Sequence, residues 1–104
     1  MIEFSKDLYI DDDLLACKKE VMDNVIKGIY QKGIYVVALA FNDKNLFDIY
    51  NANELSNIYY KKRDIKVVAI SNGKIKAAKL VSNIIEDMYN KQKKLIPKEY
   101  FSFA

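Results

Sequence analysis

The sequence predicts a small α/β domain in which a mixed sheet of three to four strands carries two long helices on one face. Two short segments, residues 34–39 and 65–70, both read I-x-V-V-A followed by leucine or isoleucine. Apolar, β-branched runs of this length between turn residues are typical of buried strands. A long amphipathic segment precedes the first run and another follows the second. These patterns predict the order α-β-β-(short α)-β-α in a two-layer sandwich, with an α+β arrangement as the alternative.

The N-terminal part of the chain predicts an edge strand followed by a helix. Residues 2–10 contain short apolar clusters, which favour a strand at the edge of the sheet. The aspartates at 11–13 are N-cap candidates with negative charge at the start of a helix. Apolar residues then recur at steps of three and four from Leu14 to Ile29. This spacing predicts a helix of about five turns that ends at Gly33.

The rest of the chain predicts a hairpin, a third strand and a second long helix. The first V-V-A strand, residues 34–41, leads into a turn at residues 42–45 and a returning antiparallel strand at residues 46–50. Residues 52–55 predict a short helical turn. The second V-V-A strand follows, and a helix with one apolar stripe then runs towards Pro97, which stops it. We expect the second V-V-A strand to run parallel to the first, on its free side.

The first V-V-A strand is apolar at nearly every position and not at alternate ones. A strand with one solvent-facing side alternates, so both faces of this strand should be covered. With both helices on one face, the other face needs the N-terminal segment, the aromatic tail or a second copy of the protein. We hypothesise that the protein is a homodimer, or larger, through this face.

Length and hydropathy favour one cytoplasmic domain. The 104 residues suffice for a single domain, residues 1–104, in which residues 91–104 form a basic and then aromatic tail. The longest apolar stretch is far below the roughly 20 residues of a transmembrane helix. The N-terminus lacks the basic start and apolar centre of a signal peptide. We therefore expect a cytoplasmic protein with no membrane association.

The absence of histidine limits the chemistry that the chain can perform. There is no histidine, and Cys17 is the single cysteine. These two facts exclude an internal disulfide, a histidine-based catalytic triad, a histidine-ligated zinc and a histidine pH switch. The aspartates at 11–13 lack the ligand spacing of a calcium loop and are interpreted as helix caps. The missing histidine lowers the expectation of an enzyme but leaves open a catalyst built from carboxylates, lysine, tyrosine or serine. We expect neither a cofactor nor a bound metal.

Positive charge is concentrated in the second part of the chain. Residues 1–60 carry six Lys/Arg and ten Asp/Glu, whereas residues 61–104 carry eleven and four. If the two parts interleave in the fold, these charges mix over the surface. If they do not, a dipolar surface would steer self-association or an anionic partner.

Two tyrosines and three cations lie together just before the second V-V-A strand. Aromatic rings stack on unpaired bases and cations bind phosphates, while tyrosine and arginine also suit protein interfaces. The alternative is that the tyrosines cover the core and the cations are simply solvated. The candidate partner or nucleic-acid surface consists of Tyr50, Tyr59, Tyr60, Lys61, Lys62 and Arg63. A second basic cluster, which would extend a nucleic-acid interface, consists of Lys91, Lys93, Lys94 and Lys98.

The turn after the second V-V-A strand is a weaker candidate site. Backbone amides at the start of a helix bind anions, and a lysine follows this turn. The candidate anion site consists of Ser71, Asn72, Gly73 and Lys74. It lacks the glycines of a phosphate loop and the dinucleotide fingerprint, and helix capping explains it fully. Asp48 and Glu54 are candidates for a carboxylate pair in acid–base catalysis.

Further motifs lie within residues 33–89. They are the Y-V-V-x-L strand, L-F-D-I-Y at residues 46–50, N-E-L at residues 53–55, Tyr59-Tyr60, and the second V-V-A strand with a helix containing A-A-K-L-V. On these motifs the segment resembles a family of short, uncharacterised bacterial α/β proteins. The resemblance implies a stand-alone small α/β protein and transfers no functional residue.

Taken together, these observations favour a non-enzymatic interaction or accessory protein that self-associates. The first alternative is a nucleic-acid-binding module that uses the segment from Tyr59 to Arg63 and the basic tail. The second alternative is a small ligand-binding protein or enzyme that uses carboxylates and the turn after the second V-V-A strand.

Overall fold

A computed structural model describes residues 1–42 and 44–103. The strands are β1 (Ile2–Ile10), β2 (Tyr35–Leu39), β3 (Phe47–Asn51) and β4 (Ile65–Ser71). The helices are α1 (Lys18–Lys27), α2 (Ile58–Lys61), α3 (Lys74–Gln92) and α4 (Pro97–Tyr100), with 3-10 turns at Asp12–Cys17 and Ala52–Ser56. The four strands form one mixed sheet, which confirms the predicted α/β class. Within the described ranges no helix combines the length and apolarity that crossing a bilayer requires.

The strand order is β1-β4-β2-β3, and β1 is an edge strand as predicted. β2 lies between β4 and β3, also as predicted, but β4 runs antiparallel to β2 and parallel to β1. The predicted parallel orientation of β4 is therefore wrong. The reason is the path of residues 52–64. These residues carry the chain from the end of β3, where Asn51 lies opposite Tyr35, to the other end of β2, where Val67 lies opposite Ala38.

The two long helices lie on opposite faces of the sheet. Val25 of α1 shares one buried cluster with Val36 of β2. Ile84 of α3 shares the other cluster with Val37, the next residue of β2. The predicted two-layer arrangement is therefore wrong, and the fold has three layers. Because α1 and α3 together cover both faces of β2, the apolar strand that motivated a second copy is satisfied within one chain.

Helix α1 is shorter than predicted and ends at a different glycine. The segment Asp12–Cys17 is a 3-10 turn, and the α-helix covers Lys18–Lys27. It ends because Gly28 adopts the left-handed conformation, with φ of 71°. Gly33, the predicted cap, also has a positive φ, but it lies in the turn that leads into β2.

Strand β1 bulges away from the sheet in its middle. Phe4 lies opposite Val67 and Tyr9 lies opposite Ala69. The segment of β1 between these two pairs, residues 5–8, is therefore longer than the segment of β4 that faces it. Such a bulge bends the strand and leaves its extra residues outside the ladder.

The C-terminal tail holds this bulge against the domain. The backbone N–H of Lys6 donates to the carbonyl of Ser102 at 2.9 Å. Phe101 is buried in the cluster on the α3 face, and its ring contacts that of Tyr9 edge-on at 6.1 Å. The tail is therefore part of the folded domain and closes the edge of the sheet at the bulge.

Acidic and basic parts of the sequence meet in the fold. The Lys66 ammonium lies 3.0 Å from the Glu3 carboxylate, and the Lys76 ammonium lies 3.3 Å from the Asp13 carboxylate. Each pair joins the acidic first part of the chain to the basic second part. Both are partly exposed, so each adds little to stability, but they show the two parts interleaving.

Candidate functional site

The donors of the predicted anion site are occupied by the chain's own carboxylates. Asp11 Oδ2 accepts hydrogen bonds from the Ser71 hydroxyl at 2.7 Å and the Asn72 backbone N–H at 3.0 Å. The Asn72 side chain donates to the Asp13 carboxylate at 2.6 Å. Ser71 is fully buried. A free anion at this turn would therefore have to displace two carboxylates.

The remaining residues of this turn cap the following helix. Gly73 is the N-cap residue of α3, and no side-chain hydrogen bond caps the helix there. Lys74 is the exposed first residue of the helix. The hydrogen bond from Asn72, together with the nearby Lys76 ammonium, lowers the pKa of Asp13 below its ordinary value. Asp13 therefore stays ionised at neutral pH, which keeps this turn occupied by negative charge.

The three predicted tyrosines are in contact but differ in exposure. The rings of Tyr50 and Tyr60 lie 5.2 Å apart, and those of Tyr59 and Tyr60 lie 5.0 Å apart, in edge-to-face geometry. Tyr50 and Tyr60 are half-buried and pack against the cluster on the α1 face. Tyr59 is 56% exposed. The structure therefore brings the predicted tyrosines together, with Tyr59 as the outermost ring.

Tyr50 is further fixed by a hydrogen bond to a neighbouring carboxylate. Its hydroxyl donates to Asp48 Oδ2 at 3.3 Å. Burial and this negative charge raise the pKa of Tyr50 well above its ordinary value. Asp48, one of the two proposed catalytic carboxylates, thus supports Tyr50, while Glu54 is exposed in the 3-10 turn Ala52–Ser56.

Arg63 is held between two exposed rings. Its guanidinium carbon lies 4.6 Å from the centre of the Tyr59 ring and 4.8 Å from the centre of the Phe41 ring. Arg63 Nη2 also donates to the Tyr59 hydroxyl at 2.8 Å. Cation–π contacts of this kind favour one position of a long side chain over others. The neighbouring Lys61 and Lys62 are exposed.

Phe41 continues this surface into an apolar groove. The groove has a volume of about 260 Å³ and is lined by Phe41 together with Leu95 and Ile96 from the segment after α3. All three side chains are exposed, Phe41 by 45%. We call the set Phe41, Tyr59, Arg63, Leu95 and Ile96 the Phe41 surface. Sequence reasoning missed Phe41, Leu95 and Ile96 because the fold alone brings Phe41 beside Arg63 and places Leu95 and Ile96 in the groove next to Phe41.

The second basic cluster is divided between different surfaces. Lys98 lines the groove of the Phe41 surface. Lys94 pairs with Glu99 at 2.9 Å. Lys91 lies near the ring of Tyr100, on the side of the β1 bulge, and Lys93 lies near the ring of Tyr89. The four lysines therefore do not form one continuous basic face.

Cys17 and the acidic residues of the described ranges show no arrangement suited to metal binding. Cys17 is half-buried, packs beside the cluster on the α1 face and donates weakly from Sγ to the Leu14 carbonyl at 3.6 Å. Within residues 1–42 and 44–103, no three cysteine, aspartate or glutamate side chains are grouped closely enough to hold a metal ion. Cys17 is therefore placed as a packing residue.

Comparison of the chain with models of protein families, with curated proteins and with solved structures finds no match. The resemblance of residues 33–89 to short bacterial α/β proteins therefore stays a prediction. Inference of function rests on the side-chain geometry of the fold.

Substitution of the two adjacent tyrosines should separate a surface role from a core role. Tyr60→Ser is expected to lower the free energy of unfolding by about 2 kcal/mol, because it removes a ring packed against the core. Tyr59→Ser is expected to change it by less than about 0.5 kcal/mol, because that ring is mostly exposed. Urea unfolding followed by circular dichroism measures both values. Equal losses for the two variants would show that Tyr59 is also a core residue.

Proposed function

We propose that this chain is a non-catalytic, cytoplasmic interaction protein that binds another protein through the Phe41 surface. The proposal rests on the position of Arg63, because its guanidinium lies within 5 Å of the exposed rings of Phe41 and Tyr59. Aromatic residues and arginine are enriched among the residues that dominate protein–protein binding energy. A side chain already fixed in place also loses less entropy on binding than a mobile one.

The charge around the Phe41 surface favours an acidic partner. Lys61 and Lys62 are exposed beside Arg63, and Lys98 lines the adjoining groove. A partner that fits these groups would place an apolar side chain in the groove and a carboxylate against Arg63. Complementary charge of this kind accelerates encounter and suppresses wrong partners.

A symmetric homodimer fits this surface less well than a different partner does. In a two-fold interface the same patch of each copy meets its equivalent. Such a contact through the Phe41 surface would bring the cations of both copies together, which opposes association. Self-association stays a prediction, and sedimentation velocity over a range of protein concentrations measures it directly.

Nucleic-acid binding is the second candidate function. Exposed Lys61 and Lys62 beside an exposed tyrosine favour it. Two features favour a protein partner instead: the Tyr59 ring is already contacted by Arg63, and the adjoining groove is lined by Leu95 and Ile96. Bases stack best on free aromatic faces, and phosphates gain nothing from an apolar groove.

A capture experiment with matched variants tests the proposed function. Tagged protein is cross-linked in cells of its source, and the recovered proteins are quantified for the wild type, for Phe41→Ala combined with Arg63→Ala, and for Ile75→Ser. Ile75 is 87% exposed on α3 and lies outside the Phe41 surface, so its variant is the matched control. We expect the double variant to lose specific partners by at least about tenfold and the control to keep them.

The same variants distinguish the two candidate functions. Equal recovery of the partner proteins by the double variant and the wild type would contradict the proposed interface. Purified protein is also titrated with fluorescent single-stranded RNA and DNA at several salt concentrations. Binding that falls steeply with salt and is lost with Arg63→Ala would replace protein docking by nucleic-acid binding.

A further inference from the structure

A second concave site lies beside the β1 bulge, apart from the Phe41 surface. This cleft has a volume of about 640 Å³. Its walls come from β1, from the start of α1, from the end of α3 and from the segment at α4. Its lining residues include Ser5, Lys6, Tyr9, Lys18, Lys91 and Tyr100. Sites for small molecules commonly have volumes of about 300–1,000 Å³ and combine apolar walls with a few polar groups.

The charged groups of the cleft are mostly cations. Lys6, Lys18 and Lys91 line it, against one carboxylate among the described lining residues, that of Asp7. Within the part of the chain that the structure describes, none of these three lysines forms an ion pair. The three lysines come from three different elements and line the same cleft. The excess of positive charge favours an anionic ligand.

Ser5 adds a buried hydroxyl to the wall of the cleft. Ser5 is only 5% exposed, and its Oγ has no hydrogen-bond partner within residues 1–42 and 44–103. A buried polar group without a partner costs free energy, so most such groups are paired. The bulge holds Ser5 outside the regular ladder and in the wall of the cleft.

Two tyrosines give the cleft a rigid, neutral, aromatic wall. The Tyr9 hydroxyl donates to Asp87 Oδ2 at 2.7 Å, and it therefore accepts from the Tyr100 hydroxyl at 2.9 Å. Burial, together with these hydrogen bonds, raises the pKa of Tyr9 well above its ordinary value. Tyr9 thus adds no negative charge to the cleft at neutral pH, and the two rings offer an apolar face beside the lysines.

We propose that this cleft binds a small organic anion, with a carboxylate or phosphate facing the three lysines and Ser5 and an apolar body against the Tyr9 and Tyr100 rings. An added β-strand fits the same edge poorly, because the Lys6 backbone N–H already donates to Ser102. The proposal is independent of protein binding at the Phe41 surface.

Titration of the isotope-labelled full chain, followed by amide chemical shifts, tests the cleft. The probes are phenyl phosphate and benzoate, with inorganic phosphate and the cation benzylamine for comparison. We expect phenyl phosphate or benzoate to shift amides in residues 5–10 and near Lys91 and Tyr100. The two anions separate a phosphate preference from a carboxylate preference, and benzylamine should cause no such shifts. Equal binding of benzylamine, or no shifts at the cleft with either aromatic anion, would overturn the proposal.

Paired variants connect any binding to the named residues. The double variant Lys18→Gln, Lys91→Gln is expected to bind the aromatic anion about fivefold more weakly than the wild type does. The anion used is whichever of phenyl phosphate and benzoate the wild type binds more tightly. Lys74→Gln combined with Lys79→Gln, at two exposed lysines of α3 outside the cleft, should leave binding unchanged. Ser5→Ala is expected to weaken binding about threefold while raising the melting temperature by about 4 °C, since it removes an unpaired buried hydroxyl. Binding that is unaffected by the Lys18 and Lys91 substitutions would contradict the assignment.

Discussion

Replacing Ile84 with alanine is expected to lower the free energy of unfolding by about 3 kcal/mol. Ile84 has no exposed surface and packs from α3 onto the sheet beside Val37. Truncating a buried isoleucine to alanine costs about 2–5 kcal/mol, because apolar contact is lost and a cavity remains. Small domains are stable by only about 5–15 kcal/mol, so this loss is a large fraction of the total. Urea unfolding followed by circular dichroism measures it.

A control on the same helix makes the result specific. Ile75→Ala removes the same atoms from a side chain that is 87% exposed and should change stability by less than about 0.5 kcal/mol. Similar losses for both variants would contradict the packing of α3 on the sheet. The Ile84→Ala loss should also be independent of protein concentration. A loss that shrinks as concentration rises would indicate that a second copy contributes to this face.

Replacing Asp11 with alanine is expected to cost about 2 kcal/mol. Its carboxylate accepts from the buried Ser71 hydroxyl and from the Asn72 backbone N–H. The Ser71 hydroxyl has an alternative acceptor, the Gly73 carbonyl at 3.0 Å, but the Asn72 N–H loses its partner. Leaving a buried donor unpaired costs about 1–3 kcal/mol. Asp11→Asn keeps an acceptor oxygen and should lose about half as much, which urea unfolding resolves.

The same variant tests whether the turn after β4 is an anion site filled from within. With Asp11 removed, the Asn72 backbone N–H becomes available to sulfate. Sulfate should therefore raise the melting temperature of Asp11→Ala more than that of the wild type. The rise in the wild type measures the general stabilising effect of sulfate on proteins and is subtracted. An equal rise in both proteins would mean that the turn does not hold a free anion even when its own carboxylate is gone.

The strands were predictable because their residues carry a local signal. The β-branched runs that became β2 and β4, and the turn after β2, define a hairpin and a third strand beside it. The orientation of β4 was not predictable in the same way. It depends on whether residues 52–64 turn back at once or cross the sheet, and both paths suit a short helical segment.

The covering of β2 illustrates a second limit of the sequence. Val36 and Val37 are equally apolar, which correctly indicated that both faces are buried. An amphipathic helix shows that it has a buried side, but not which face of the sheet it joins. The assignment of α3 to the face opposite α1 follows from the chain path through β4, and it removes the need for a second copy on that face.

The candidate surfaces were predictable only where their residues are neighbours in sequence. Tyr59 and Arg63 lie four residues apart and were placed in the same candidate surface, whereas Phe41 joins them through the fold. The sequence contains a pattern that indicates the bulge of β1 beside the cleft. Ser5, Lys6 and Asp7 are three consecutive polar residues inside an otherwise apolar strand, and a run of this kind interrupts a ladder.

The pairing of β1 with β4 has a consequence for the order of folding. Ile2 lies opposite Ile65, so this contact closes a long loop, whereas β2 and β3 are joined by a short turn. Closing long loops is slow because the entropic cost precedes the stabilising contacts. The hairpin should therefore form early, and β1 should dock late. On the ribosome, β1 emerges before the other three strands of this sheet and must wait for β4, which is made after them.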